Sequence, residues 1–158
     1  MKLDSRVEQA LQAINFVERY KELSDKFSLD RTPKEKRLNI ITGELIFDAF
    51  EDLGYRAKFD GREKFFYIEP FKENDYTFGF HISIFKGLVE LIWIVKDSQN
   101  KVILGTPLME FSRRLISPDY RIMDPVISNY DDLENVMKIA FEMYEDFKQA
   151  FLKIAAED

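Results

Sequence analysis

The chain contains no cysteine. That excludes disulfides, zinc–thiolate sites, iron–sulfur clusters and a cysteine nucleophile together. It also fits a reducing compartment. Histidine is almost as scarce. His81 is the only one, so a metal site would have to be built from oxygens with at most one imidazole. The six glycines form neither GxGxxG nor GxxxxGK, so no phosphate-cradling loop is encoded. No acidic stretch has the ligand offsets and central glycine of a calcium loop. No metal and no cofactor are expected. Long apolar runs are missing too. The longest, Leu88 to Val95, contains Glu90 and is far short of the roughly 20 residues that span a bilayer. At the N-terminus, Asp4, Arg6 and Glu8 stand where a signal peptide needs an unbroken apolar run. No membrane segment is expected, and the location expected is cytoplasmic.

Positive charge is in deficit. The net charge is −6 and the pI about 5.0. Nucleic-acid phosphates reward a basic face, so nucleic acid is not an expected partner. A basic protein partner is compatible with this balance. So is the plainer reading that the charge keeps the chain soluble.

What is abundant is apolar and aromatic. Of 158 residues, 46% are hydrophobic, with 15 Phe and 7 Tyr. A chain this long can bury roughly two-thirds of its surface without a covalent staple. No repeat or Pro/Gly/Ser linker divides it, so a single domain over 1–158 is expected.

Residues 3–27 have apolar positions at helical spacing: Leu3, Val7, Ala10, Leu11, Ile14 and Val17. Thr32-Pro33-Lys34-Glu35 has the form of a helix start, with Thr32 as cap and Glu35 as the third-position acid. That helix is predicted to run to Leu53, with Leu38, Ile41, Leu45 and Ala49 inward and Gly54 as its left-handed stop. The period then drops to two. Tyr55, Ala57 and Phe59 alternate with charged residues up to an Asp60-Gly61 turn, whose loop length leaves the register open. Strands follow at 64–69, ended by Pro70, and at 76–85, 88–95 and 101–104. Gly105 to Pro125 is ambiguous between a short helix from Leu108 to Ile116 and an irregular edge. The last helix starts at Ser128 or Asn129. It carries Leu133, Met137, Ala140, Tyr144, Phe147, Phe151 and Ile154 on one stripe, widened by Val136, Ile139 and Met143. The fold class predicted is α+β: about five strands in an antiparallel meander, with two N-terminal helices and a long C-terminal helix packed on it.

Catalytic candidates are few. Ser83 lies two residues from His81 on one strand face, but no nucleophile-elbow pattern surrounds it, and strand-interior serines seldom act as nucleophiles. No catalytic residue is assigned, and an enzyme is not expected. Arg113 and Arg114, near Arg121, could grip an anion, although such runs are usually solvated. Glu134, Glu142, Glu145 and Asp146 form an acidic outer face on the last helix, interrupted by Lys138 and Lys148. Ordinary salt-bridged solubility explains that pattern, and so does a docking surface for a basic partner. Phe85 and Trp93 are candidates for an exposed apolar surface on the second face of the sheet. The leading expectation is a non-enzymatic inhibitor or immunity-type protein that neutralises a toxin or enzyme. Alternatives are a chaperone-like homodimeric adaptor and a ligand-binding domain with a pocket near His81, Tyr76 or Arg56.

Overall fold

A computed structural model describes residues 2–39 and 42–157. Asp4 starts the first helix: its carboxylate accepts from the Arg6 backbone N–H at 2.8 Å and pairs with the Arg6 guanidinium at 3.1 Å. Those contacts, opposed by partial burial, hold the Asp4 carboxyl below its ordinary range. The region expected as one helix over 3–27 is two, α1 (Ser5–Ala13) and α2 (Phe16–Lys26). Asn15 separates them with φ of 57°, a left-handed conformation that asparagine tolerates better than most residues. The break re-aims the apolar stripe. Val7, Ala10 and Leu11 are buried on α1, while Phe16, Tyr20 and Leu23 are buried on α2.

The helix expected from Thr32 to Leu53 forms only in its second half. One 3₁₀ turn (Lys34–Lys36) follows Pro33, and α3 begins only at Gly43 (Gly43–Asp52). Thr32 does not cap; its hydroxyl donates to the Ser28 carbonyl at 2.8 Å. Tertiary pairing outcompetes the local signal here. The Leu38 N–H donates to the Ile127 carbonyl at 2.9 Å, which commits this stretch to an extended path. The buried face of α3 is Ile46, Ala49 and Phe50, and Leu45 is 45% exposed, contrary to expectation. Ile41 lies outside the described residues. Gly54, at φ of 88°, ends α3 as expected. Its N–H donates to Glu51 and that of Tyr55 to Phe50, both at 2.9 Å, a Schellman arrangement.

Six antiparallel strands follow: β1 (Ala57–Asp60), β2 (Phe65–Ile68), β3 (Phe71–Glu73), β4 (Tyr76–Phe85), β5 (Leu88–Lys96) and β6 (Val102–Pro107). Their order is β1-β2-β4-β5-β6, with β3 also paired to β4. β2 and β3 lie along the same edge of β4, Tyr67 opposite His81 and Phe71 opposite Phe78. Pro70, which has no N–H to give a ladder, falls between them. The sixth strand is thus the continuation of an edge that proline interrupts. α4 (Leu108–Leu115) starts directly after Thr106-Pro107. The final helix, α5 (Tyr130–Glu157), is capped by Asn129, whose side chain accepts from the Asp132 N–H at 2.7 Å, while Asp132 accepts from the Ser128 N–H at 2.9 Å.

The helices that touch the sheet through ring contacts do so on one face. Phe141 and Tyr144 of α5 meet Phe80 at 5.2 and 5.1 Å, and Phe147 stacks on Trp93 at 5.0 Å. Phe16 of α2 and Phe111 of α4 close on the same indole at 5.7 and 5.9 Å. The two ring systems on α3, Phe47 and Phe50, meet Phe66. This two-layer packing is the α+β arrangement expected. Among the described residues no helix is long and apolar enough to cross a membrane.

The turn between β4 and β5 anchors the extended 37–39 stretch that follows the 3₁₀ turn. Gly87 has φ of 81°, and a Cβ added there would lie 2.6 Å from the Arg37 Cβ. The Ile127 N–H donates to the Gly87 carbonyl at 2.8 Å. Gly87→Ala is therefore expected to cost about 2 kcal/mol or more, since strain and clash act together. Urea unfolding checks this. A loss near zero would mean that Arg37 does not pack on the turn.

Candidate functional site

The site begins with the β1–β2 hairpin. The Asp60 side chain accepts from the backbone N–H groups of Arg62 and Glu63 at 2.9 and 3.0 Å, and Lys64 closes the loop at φ of 59°. The loop is therefore four residues long, and the register left open by the sequence places Phe59 opposite Phe66. Both rings face the helix layer, 4.8 Å apart, and Phe47 of α3 meets Phe66 at 5.6 Å. β1 is the outermost strand and is incompletely covered, so Phe59 is 47% exposed. Together with Gly43, Lys64 and Ile84, these rings line a cavity of about 390 Å³.

Ile84 also lines the neighbouring recess of about 560 Å³, with Lys34, Arg37, Asn39, Phe85 and Lys86. Phe85 is 71% exposed. The Arg37 Nε donates to the Thr32 carbonyl at 2.9 Å, which fixes the guanidinium beside the opening. The two recesses meet at Ile84, which lines both, and together make up one groove region. Its floor is Phe47, Phe59, Phe66 and Ile84. Its charged lining is Lys34, Arg37, Lys64 and Lys86, with no carboxylate among the described lining residues. A locally cationic apolar groove on a chain of net charge −6 is a strong asymmetry.

The structure distributes the sequence candidates differently from expectation. Trp93 is fully buried, directly opposite Phe80 on the inner face, and is no surface residue. β5 is apolar at nearly every position, so its pattern alone could not say which side faced the helices. Phe85 is exposed and belongs to the groove. The acidic face of α5 is partly engaged within the chain. Glu145 accepts from the Tyr55 hydroxyl at 2.9 Å and pairs with Lys148 at 2.9 Å, and Asp146 pairs with Arg19 at 2.9 Å. Burial first, then Glu145, pushes the Tyr55 hydroxyl well above the ordinary tyrosine range. Glu142 is exposed and lines a shallow recess with Arg19, Tyr55 and Lys138; Glu134 is half-buried. Lys148 itself is only 5% exposed, held between the rings of Phe71 and Tyr144 at 4.2 and 4.6 Å.

Arg113 is occupied by Glu110 at 3.3 Å and by the Pro118 carbonyl at 2.9 Å. Arg114 lines the same recess, whereas Arg121 lines a different one, so the three arginines do not form one anion grip. His81 stacks on Phe65 at 4.2 Å on the sheet face away from the helices. Burial, then Lys96, pushes its pKa below the ordinary value. Tyr76 points to the opposite face, where its hydroxyl accepts from the Arg6 guanidinium at 2.9 Å and its ring meets Phe151 at 5.0 Å. His81 and Tyr76 therefore do not share a pocket. Among the described residues no three histidine or acidic side chains converge as a metal site.

The groove cations were not singled out by the sequence. They come from three separated segments, the 3₁₀ turn with the residue after it, the β1–β2 hairpin and the β4–β5 turn, and only the fold brings them together. Phe59 did carry a signal: it is an aromatic residue beside a turn on an edge strand. No family model, no curated protein and no solved structure matches this chain, so what it binds must be read from the groove and the surfaces around it.

Proposed function

We propose that the chain is a non-enzymatic binding protein of the inhibitor or immunity type, which neutralises a toxin or enzyme by holding a segment of it in the groove between α3 and β1–β2. The observation that carries this reading is the pairing of an exposed aromatic floor, Phe59 above all, with the cationic lining of Lys34, Arg37, Lys64 and Lys86. Rings and methyl groups supply burial, and ammonium and guanidinium groups supply orientation and steering. The segment that fits is apolar and acidic. Its charge is opposite to that of the basic partner suggested by the net charge alone. The acidic face of α5 is the weaker surface, because Glu145 and Asp146 already hold cations of their own chain.

The test is stoichiometric capture of a partner from source-cell extract, followed by affinity measurement with that partner. Lys64→Glu/Lys86→Glu and Phe59→Asp should each weaken binding about tenfold or more; added salt should weaken the wild-type complex, and the charge-reversed variant should lose most of that salt dependence. Unchanged affinity in both variants would remove the groove from consideration. Inhibition of the captured partner's activity would establish the inhibitor role, and its absence would leave an adaptor.

A further inference from the structure

Helix rings pack on one face of the sheet, and the opposite face has a chemistry of its own. The strand register sets its side chains in rows. In the first, Asp60 lies opposite Phe65 and Ser83 opposite Glu90. In the second, Lys58, Tyr67, His81, Ile92 and Pro107 are successive partners. The third holds Gly79, Ile94 and Gly105. In the fourth, Thr77 lies between Lys72 and Lys96. One end of the face is acidic, the other carries lysines, and the middle is apolar. The rings of Phe65, Tyr67 and His81 contact one another, and among the described residues none of the three meets a helix ring.

We propose that a second copy of this chain docks on this face, sheet against sheet, about a two-fold axis running across the strands. That operation lays each strand over its own copy with its direction reversed. Along β5 it sets Glu90 over Lys96 of the second copy and Ile92 over Ile94. Along β4 it sets Ser83 over Thr77 and His81 over Gly79, where the missing side chain leaves room for the imidazole. Rotation about an axis along β4 would instead stack Lys72 of one copy on Lys96 of the other. At the sheet edge Lys58 lies over Arg56 of the second copy, where both are exposed and solvent screens them. The fifteen positions in these rows, each about 4.8 Å by 6.8 Å, give a footprint of about 490 Å² per copy, the size of a weak, concentration-dependent association. The groove floor of Phe47, Phe59, Phe66 and Ile84 lies on the other face; Phe85, beyond the first row, is the groove residue that alternates onto this one.

The test is sedimentation velocity with light scattering over a wide concentration range. The mass should rise from 18.8 kDa toward twice that value. Ile92→Asp should abolish the rise. Lys96→Glu and Glu90→Lys should each weaken association about tenfold, and the double variant should restore it. These two residues are six apart on one strand, about 20 Å, so rescue has to come from contact between copies. Circular dichroism checks each fold; if Glu90→Lys does not fold, Glu90→Gln stands in as a single variant that should weaken association, and the rescue criterion applies to the charge-swapped pair alone. A single chain at every concentration overturns the proposal. So does a dimer that survives Ile92→Asp, or a double variant no better than the singles.

Discussion

Truncating Trp93 to alanine should lower stability by about 4 kcal/mol, the range of large aromatic truncations in a packed core. For a chain of this length that corresponds to a fall of about 10–15 °C in Tm. The indole is fully buried and is surrounded by Phe16, Phe80, Phe111, Tyr144 and Phe147, with ring centroids between 5.0 and 6.2 Å. It is the point at which α2, α4 and α5 meet β4 and β5, so its loss opens a cavity bordered by five elements. Trp93→Phe should cost no more than about 1.5 kcal/mol, because most of the volume remains. That variant also removes a buried N–H that has no hydrogen-bond partner among the described residues, a group with a desolvation cost of its own. Phe85→Ala should stay within about 0.5 kcal/mol, as exposed positions generally do. Urea unfolding followed by circular dichroism compares the three. A Phe85 effect as large as that of Trp93 would invert the assignment of faces.

Asp124→Asn should stabilise the protein by about 3 kcal/mol at pH 8, and the gain should vanish as the pH falls below about 4. Asp124 is 9% exposed and accepts a hydrogen bond from the Tyr20 hydroxyl at 3.0 Å. Burial raises its pKa from 3.8 to about 6; the Tyr20 hydrogen bond opposes that shift and the nearby Glu90 charge adds to it. Between those two values the folded state keeps a proton that the unfolded chain has released, so stability falls as pH rises through the window. The cost is fully developed above the folded pKa, and it is about 1.4 kcal/mol for each pH unit of displacement. Asparagine keeps an acceptor for Tyr20 and carries no charge, so it imitates the protonated acid. The difference in unfolding free energy between the two proteins, measured from pH 4 to 8, isolates this carboxyl from the other acids. A pH-independent gap, or one that grows toward low pH, would contradict the assignment. Glu90→Gln should lower the same pKa by a smaller amount, because burial is the larger cause.

Local signals read the α+β order and the long final helix well. α5 packs through Leu133, Met137, Ala140, Tyr144, Phe147 and Phe151 as its stripe predicts, because a 28-residue helix averages its period over many turns. The alternation of β4 was equally legible: Phe78, Phe80 and Ile82 are buried. Gly54 ended α3 because only its backbone freedom was needed there. Reading failed where a backbone had a competing partner. Thr32 to Ile41 carries helix-start residues, yet Leu38 bonds to Ile127 across the fold. It failed again at Asn15, where one left-handed residue divided a continuous pattern, and at β3, three exposed residues with no alternation to detect.

The groove divides along the same line. By itself the sequence determined which elements could form, because periodicity, caps and turn residues act within a few positions of one another. It also determined a chemical inventory without cysteine and with one histidine. Only the tertiary structure decided which side of β5 met the helices, since that depends on pairing Trp93 with Phe80. It alone brought Lys34, Arg37, Lys64 and Lys86 beside Phe59, since cations on separate loops share no period and converge only through long-range packing.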